Sequence, residues 1–129
     1  MPERLDGLLI GTHGIEQGPT QSFRWTEPVA LLRLTPPGDG GMLRIETGGL
    51  RGDPLGYLHS AYAGPLPLPQ ELIASERGAM EVRLPQPYAR AAAGSGLVLI
   101  CRPLVPSRNG SSDRRRLGMP VAELELSPA

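Results

Sequence analysis

The sequence predicts an all-β fold, an antiparallel β-sandwich of short strands, and three observations carry that prediction. The chain holds 17 glycines and 15 prolines, 32 of its 129 residues. Glycine costs about 1 kcal/mol and proline about 3 kcal/mol in a helix interior relative to alanine, so a chain interrupted at about every fourth residue cannot sustain long helices. Short runs alternate apolar and polar residues with the period of two of a half-buried strand. These runs recur at spacings of about 8 to 12 residues with turn-forming clusters between them, which is the rhythm of a sandwich. Disorder is disfavoured, because 40% of the residues are hydrophobic, the formal net charge is zero, and glycine and proline separate apolar runs instead of forming repeats. The length fits one domain over residues 1–129.

Residues 5–10 are apolar apart from Asp6-Gly7 and predict a first strand, after which Gly11-Thr12-His13-Gly14 turns the chain. Gln17-Gly18-Pro19 marks a second turn, and Ser22-Phe23-Arg24-Trp25-Thr26 alternates as a strand that Pro28 limits. Residues 29–34 predict a third strand, closed by Pro36-Pro37-Gly38-Asp39-Gly40-Gly41, and residues 42–47 follow as its hairpin partner or its neighbour in the sandwich. In the Gly- and Pro-rich middle, residues 55–61 predict a strand with Gly56 as a bulge. Residues 66–72 predict a strand confined to an edge, where the prolines' missing amide donors do no harm. Residues 79–85 alternate cleanly after Gly78. Residues 87–93 are the single helix candidate, opening on proline and ending at Gly94. Leu97-Val98-Leu99-Ile100-Cys101 is the most hydrophobic run, a strand buried on both faces or central in its sheet. A polar loop over 107–116 leads to a closing strand over 121–126, in which Val121 is offset from Ala122, Leu124 and Leu126.

Composition excludes several functions. All 13 basic residues are arginine and balance nine Glu and four Asp, so there is no chain-wide electrostatic footprint for nucleic acid. The lone Cys101 rules out an intramolecular disulfide and a Cys-rich metal site. With no basic and apolar leader and no run of about 18 apolar residues, the expectation is a cytoplasmic chain without direct membrane insertion. Gly94-Ser95-Gly96 lacks the spacing of a hydrolase elbow. Cys101 in an apolar strand reads as a small buried hydrophobe rather than a thiolate partnered by His13 or His59. Neither histidine has metal-ligand spacing with another ligand, and no Asp-rich loop offers the six to eight oxygens of a calcium site. Among the carboxylates, Glu16, Glu27, Asp53, Asp113, Glu123 and Glu125 are available for a glycosidase pair, but Glu123 and Glu125 alternate on a strand as a solvated outer face does. The reading is therefore of a non-enzyme with no cofactor and no metal.

Arg114-Arg115-Arg116 after Asp113 is the densest polar feature. It reads either as an anion clamp or as a loop in which Asp113 and one arginine pair and the rest are solvated. Trp25 reads as core packing with a satisfied indole N–H, or as a face for stacking on a sugar ring. Tyr57, Tyr62 and Tyr88 fall in loops or at edges where rings are exposed.

Two separated segments carry a resemblance. Gly14-Ile15-Glu16, Ser22-Phe23-Arg24-Trp25-Thr26 and Ala30-Leu31-Leu32-Arg33-Leu34 resemble the opening of β-sandwich accessory domains attached to bacterial glycosyltransferases. Pro103-Leu104-Val105-Pro106, Ser112-Asp113-Arg114-Arg115-Arg116-Leu117-Gly118-Met119-Pro120-Val121 and Glu123-Leu124 are similar to their closing region. The middle departs from the family pattern, with Ala63-Gly64-Pro65 where an Asn-Gly turn is usual. The resemblance implies a galactose-binding-like jelly roll and a non-catalytic carbohydrate-recognition or docking module in glycosyltransferase or cell-envelope polysaccharide biology. Its partners would be a glycan or a glycosyltransferase catalytic domain. Arg24, Trp25, Arg114, Arg116 and Gly118 are expected as framework, with Arg24 paired to Asp113. Tyr57, His59, Tyr62, Asp113 and Arg115 are expected at the ligand. The alternative is a structural or protein-interaction sandwich whose exposed apolar patch or Pro-rich edge meets a partner.

Overall fold

The structure, a computed structural model, describes residues 2–3, 9–17, 22–34, 36, 39–47, 57–76, 78–102 and 116–128. Among these residues the strands are β1 (Pro2–Glu3), β2 (Leu9–Gln17), β3 (Ser22–Leu32), β4 (Gly40–Glu46), β5 (Leu58–Ala63), β6 (Leu66–Pro67), β7 (Ile73–Glu76), β8 (Ala79–Pro85), β9 (Leu97–Cys101), β10 (Pro120–Val121) and β11 (Glu123–Pro128). One helix, α1 (Gln86–Ser95), and one 3-10 turn, Gln70–Leu72, complete them. Every pairing is antiparallel. Sheet I contains β2, β3, β10, β9, β5 and β6, with β9 between β3 and β5 and β6 at the edge. Sheet II runs β1-β11-β4-β8-β7.

The sheets pack face to face as a β-sandwich, and alternation decides which side chains meet. From sheet I, Ala30, Leu32, Ala61, Ala63, Leu97, Leu99 and Cys101 point inward; from sheet II, Leu43, Ile45, Met80, Val82, Leu84 and Leu124 meet them. Helix α1 adds Ala89 and Ala92, three residues apart on one face, and closes the layer beside β4, β5 and β8. It stops at Gly96, whose φ of +86° suits glycine and whose N–H donates to the Ala92 carbonyl at 2.6 Å.

Several elements differ from expectation for physical reasons. Gly11-Thr12-His13-Gly14 does not turn the chain; it lies inside β2, which pairs with β3 across two register irregularities flanking Thr12. Gly11 has φ +86°, and a Cβ there would stand 2.9 Å from the Val29 carbonyl oxygen, so the irregular backbone needs glycine. Pro28 does not end its strand. β3 pairs with β10 through residues 24–25 and with β9 through residues 29–32, while β2 pairs at Thr26 and next at Leu31. Pro28 thus sits where no registered partner requires its missing amide hydrogen. The next strand, β4, lies in the opposite sheet, so β3 and β4 are not a hairpin.

The proline-rich run ends as the two-residue edge strand β6, and β7 forms instead over Ile73–Glu76, hairpinned to β8 through Gly78 at φ +82°. The helix runs through Gly94 to Ser95. The closing strand is divided between sheets: β10 pairs with β3, β11 pairs with β4, and Ala122 marks the crossing with its N–H donating to the Glu46 carbonyl at 2.7 Å. That crossing explains why Val121 is out of phase with Leu124. No helix among the described residues is long and apolar enough to cross a membrane.

Candidate functional site

Residues 24–26 of β3 meet the described end of the closing segment, residues 116–121, in sheet I. Arg24 pairs with Val121 and Trp25 with Pro120. The junction is fastened by Thr26, which is fully buried. Its N–H donates to the Met119 carbonyl at 2.8 Å, its carbonyl accepts from Gly118 N–H at 2.8 Å, and its Oγ1 accepts from Met119 N–H at 2.9 Å. His13 Nε2 donates to the Arg116 carbonyl at 3.2 Å and ties β2 to the same segment. A buried hydroxyl that accepts a backbone N–H spares that donor the cost of desolvation, so Thr26 holds the loop as well as the strand. The sequence signal of Thr26 is slight: a polar residue in phase with Ala30 and Leu32, the inward-facing positions of β3.

Trp25 lies out of phase with Thr26, Ala30 and Leu32, half-buried against Phe23, with ring centroids 6.2 Å apart and planes at 77°. The lone tryptophan is therefore no core residue; an edge-to-face aromatic pair occupies the outer side of β3. Arg24 and Arg116 are half-buried and exposed, respectively. Asp113, Arg114 and Arg115, and with them the Arg24–Asp113 pair, lie outside the described residues.

His59 sits in a groove of about 530 Å³, lined by Leu58, His59, Ser60, Ala61, Leu68, Gln70, Ile73 and Arg102. The groove forms where β6 leaves sheet I and the 3-10 turn leads into β7 of sheet II. Leu68 N–H donates to the Ala61 carbonyl at 2.9 Å and Arg102 N–H to the Tyr57 carbonyl at 2.8 Å, so backbone bonds fix two of its walls. Leu58, Ala61 and Leu68 are buried and Ile73 half-buried, giving an apolar floor. Exposed His59, Gln70 and Arg102 and half-buried Ser60 give a polar rim. A hydrogen bond of 3.1 Å joins His59 Nδ1 to Ser60 Oγ. The register irregularity of β5 between Leu58 and Ser60 turns His59 outward there. Gln70, Ser60 and Arg102 carry no signal in the sequence, because the groove is assembled by three chain segments that alternation does not bring together.

The tyrosines are separated. Tyr57 and Tyr88 are half-buried and pack against the core, whereas Tyr62 lies on the outer side of β5, opposite Val98 of β9 and Pro67 of β6.

The outer faces of the sheets differ in chemistry. On sheet II, Arg44 is ringed by carboxylates, 2.7 Å from Glu76, 3.7 Å from Glu46 and 4.0 Å from Glu81. The Glu76 hydrogen bond holds its guanidinium pKa above the ordinary value. Glu123 pairs across from Glu46, whose charge pushes the Glu123 carboxyl above the usual carboxylate range; their hydrogen bond adds to the rise. The sandwich thus binds a proton more tightly than its unfolded chain, and stability falls as pH rises through the raised value. At pH 7, Glu123→Gln is expected to raise Tm by about 2 °C, with the gain vanishing near pH 4 in thermal melts; a pH-independent gain would place its origin elsewhere. These two carboxyls touch on an open sheet face, unlike the separated pair that flanks a glycosidic bond. Among the described residues no group of three or more His, Cys, Asp or Glu side chains is placed to hold a metal ion.

On sheet I part of the outer face is apolar. Val29 is 58% and Ile10 44% exposed, in register with half-buried Ile100 and Leu31, and Leu31 is followed across the sheet by Val98 and Tyr62. Cys101 faces inward; burial pushes its thiol up to about 11, opposed in part by a hydrogen bond with Thr26.

Comparison with protein-family models, with curated proteins and with solved structures finds no match for the chain.

Proposed function

We propose that this protein is a non-catalytic carbohydrate-recognition module of the galactose-binding-like jelly-roll type, acting in glycosyltransferase or cell-envelope polysaccharide biology. The groove beside His59 supports that reading: its volume of about 530 Å³ lies in the range of small-ligand sites, roughly 300–1,000 Å³. Its apolar floor suits the C–H face of a pyranose, and Ser60, His59, Gln70 and Arg102 converge on it to address hydroxyls and ring substituents. The resemblance of the segments around Trp25 and Gly118 to glycosyltransferase accessory domains supplies the biological setting.

Isothermal titration with bacterial envelope oligosaccharides tests this. Saturable binding is expected, weakened at least about tenfold by the double substitution Ser60→Ala and Gln70→Ala, whose lost hydrogen bonds are each worth about 1 kcal/mol. Absence of saturable binding at millimolar ligand overturns the carbohydrate reading. A second reading is then favoured by the apolar patch on the outer face of sheet I, where exposed Ile10 and Val29 lie in register with Leu31 and Ile100. Such faces dock partner proteins, and a glycosyltransferase catalytic domain is the partner that the resemblance implies.

A further inference from the structure

We propose that the groove beside His59 reads vicinal hydroxyl pairs of neutral sugars, with the Gln70 amide as the residue that selects them. This rests on the carbohydrate reading and names its ligand class. The balance of donors and acceptors along the rim carries the inference. Gln70 offers Oε1 as an acceptor and Nε2 as a donor of two hydrogens, and among the described residues nothing hydrogen-bonds that amide. Its backbone is fixed, because Ile73 N–H closes the 3-10 turn by donating to the Gln70 carbonyl. The edge of one amide can accept from one sugar hydroxyl and donate to the hydroxyl on the next ring carbon. A single group so placed recognises the pair and not either member alone.

His59 and Ser60 form a second unit of the same kind, joined by the 3.1 Å bond between Nδ1 and Oγ. With the ring hydrogen on Nε2, Ser60 donates to Nδ1, and the groups left for a ligand are an Nε2–H donor and the Oγ acceptor. With the hydrogen on Nδ1 the roles reverse, so that Nε2 accepts and the Ser60 hydroxyl donates. Either tautomer presents one donor and one acceptor. A sugar hydroxyl both donates and accepts and so satisfies each unit in full, whereas a carboxylate or phosphate accepts only and leaves the acceptor halves unpaired. Charge does not tip this balance toward an anion. Arg102 already has a partner, and among the described lining residues there is no Asp or Glu to draw a cation.

Calorimetric titration of the full chain tests the inference with methyl glucoside, galactoside and mannoside, and then with two analogues of the tightest. One analogue lacks the 3-hydroxyl, which removes every vicinal pair on the ring; the other carries a carboxylate at C6. The 3-deoxy compound is expected to bind at least about tenfold more weakly than its parent, since hydrogen bonds at both members of the pair are lost. The uronate should bind no more than about threefold more tightly than the parent, and the parent's affinity should hold from about 50 to about 500 mM NaCl, because screening acts on charges. Gln70→Leu is expected to weaken the parent about tenfold and to bring it to within about threefold of the 3-deoxy analogue, with thermal melts confirming the fold. Glu71→Gln, at the exposed neighbour outside the lining, should change neither affinity. Equal binding of the parent and the 3-deoxy compound, or a uronate preferred tenfold and weakened by salt, overturns the inference while leaving the carbohydrate reading intact. Discrimination that survives Gln70→Leu overturns the assignment to Gln70. Silence of all three glycosides also overturns the inference, and the carbohydrate reading falls with it only when envelope oligosaccharides are silent too.

Discussion

Replacing Gly118 by alanine is expected to destabilise the sandwich by about 3 kcal/mol, with a fall in Tm on the order of 10 °C. The cause is space, not dihedral freedom. A Cβ at this position would overlap Thr26 Oγ1 and stand 2.5 Å from the Glu27 carbonyl oxygen and 3.1 Å from its carbon. The loop approaches β3 so closely because Gly118 N–H and Met119 N–H both bond to Thr26. Moving it away leaves a fully buried hydroxyl and two backbone donors to be satisfied elsewhere. Adding Thr26→Ala should not rescue the variant, since the Glu27 carbonyl still obstructs the methyl and Met119 N–H loses its acceptor. Gly94, with nothing within 4 Å of its would-be Cβ, is the matched control: alanine there should be neutral or add about 0.5 kcal/mol by its helix propensity. Urea unfolding of the variants measures all of this, and a loss below 1 kcal/mol at Gly118 would mean that the junction yields without strain.

Truncating Leu99 to alanine should cost about 4 kcal/mol, toward the upper end of the range for buried leucine, and bring the protein close to unfolding at 37 °C. Leu99 is fully buried on the central strand of sheet I, and its registered neighbours on either side are Ala30 and Ala61. Three inward positions in a row thus hold one large side chain between two methyl groups. Neither alanine can extend into the space a truncation leaves, so the cavity persists and its full cost is felt. Chemical denaturation gives the magnitude, and Leu66→Ala at the exposed edge, expected to change stability by less than about 0.5 kcal/mol, is the comparison. A loss of under 1.5 kcal/mol at Leu99 would show that the sheets close over the gap.

Much of the fold is legible in local pattern. Residues 79–85 and 97–101 alternate or are apolar in runs bounded by Gly78 and Gly96, and they form β8 and β9 with the expected bounds. The proline-rich segment goes to an edge, as missing amide donors require. Pattern misleads where a turn residue is tolerated by its neighbours. Pro28 lies unpaired within one long strand, and Gly11 absorbs an irregularity of β2 without reversing the chain. Trp25 is similar: its alternation is correct, but which phase of β3 faces inward depends on the opposite sheet, and Thr26, Ala30 and Leu32 take that side. Of the groove, only His59 stands out in the sequence, as an isolated polar residue near tyrosines; Ser60, Gln70 and Arg102 carry no motif.

Taken alone, the sequence determines that the protein is built of strands, because 17 glycines and 15 prolines among 129 residues deny helices their length while alternating runs supply amphipathic faces. It also points to Cys101 as a small buried hydrophobe, since it closes the most hydrophobic run of the chain. Tertiary structure decides which faces meet, how the Trp25 and Gly118 segments fasten through Thr26, and which donors gather around the groove. Those choices depend on register between residues about 90 positions apart in sequence, such as Thr26 and Met119. Local propensity does not reach across that separation; the close approach that only glycine permits, and the buried hydroxyl that rewards it, select the register.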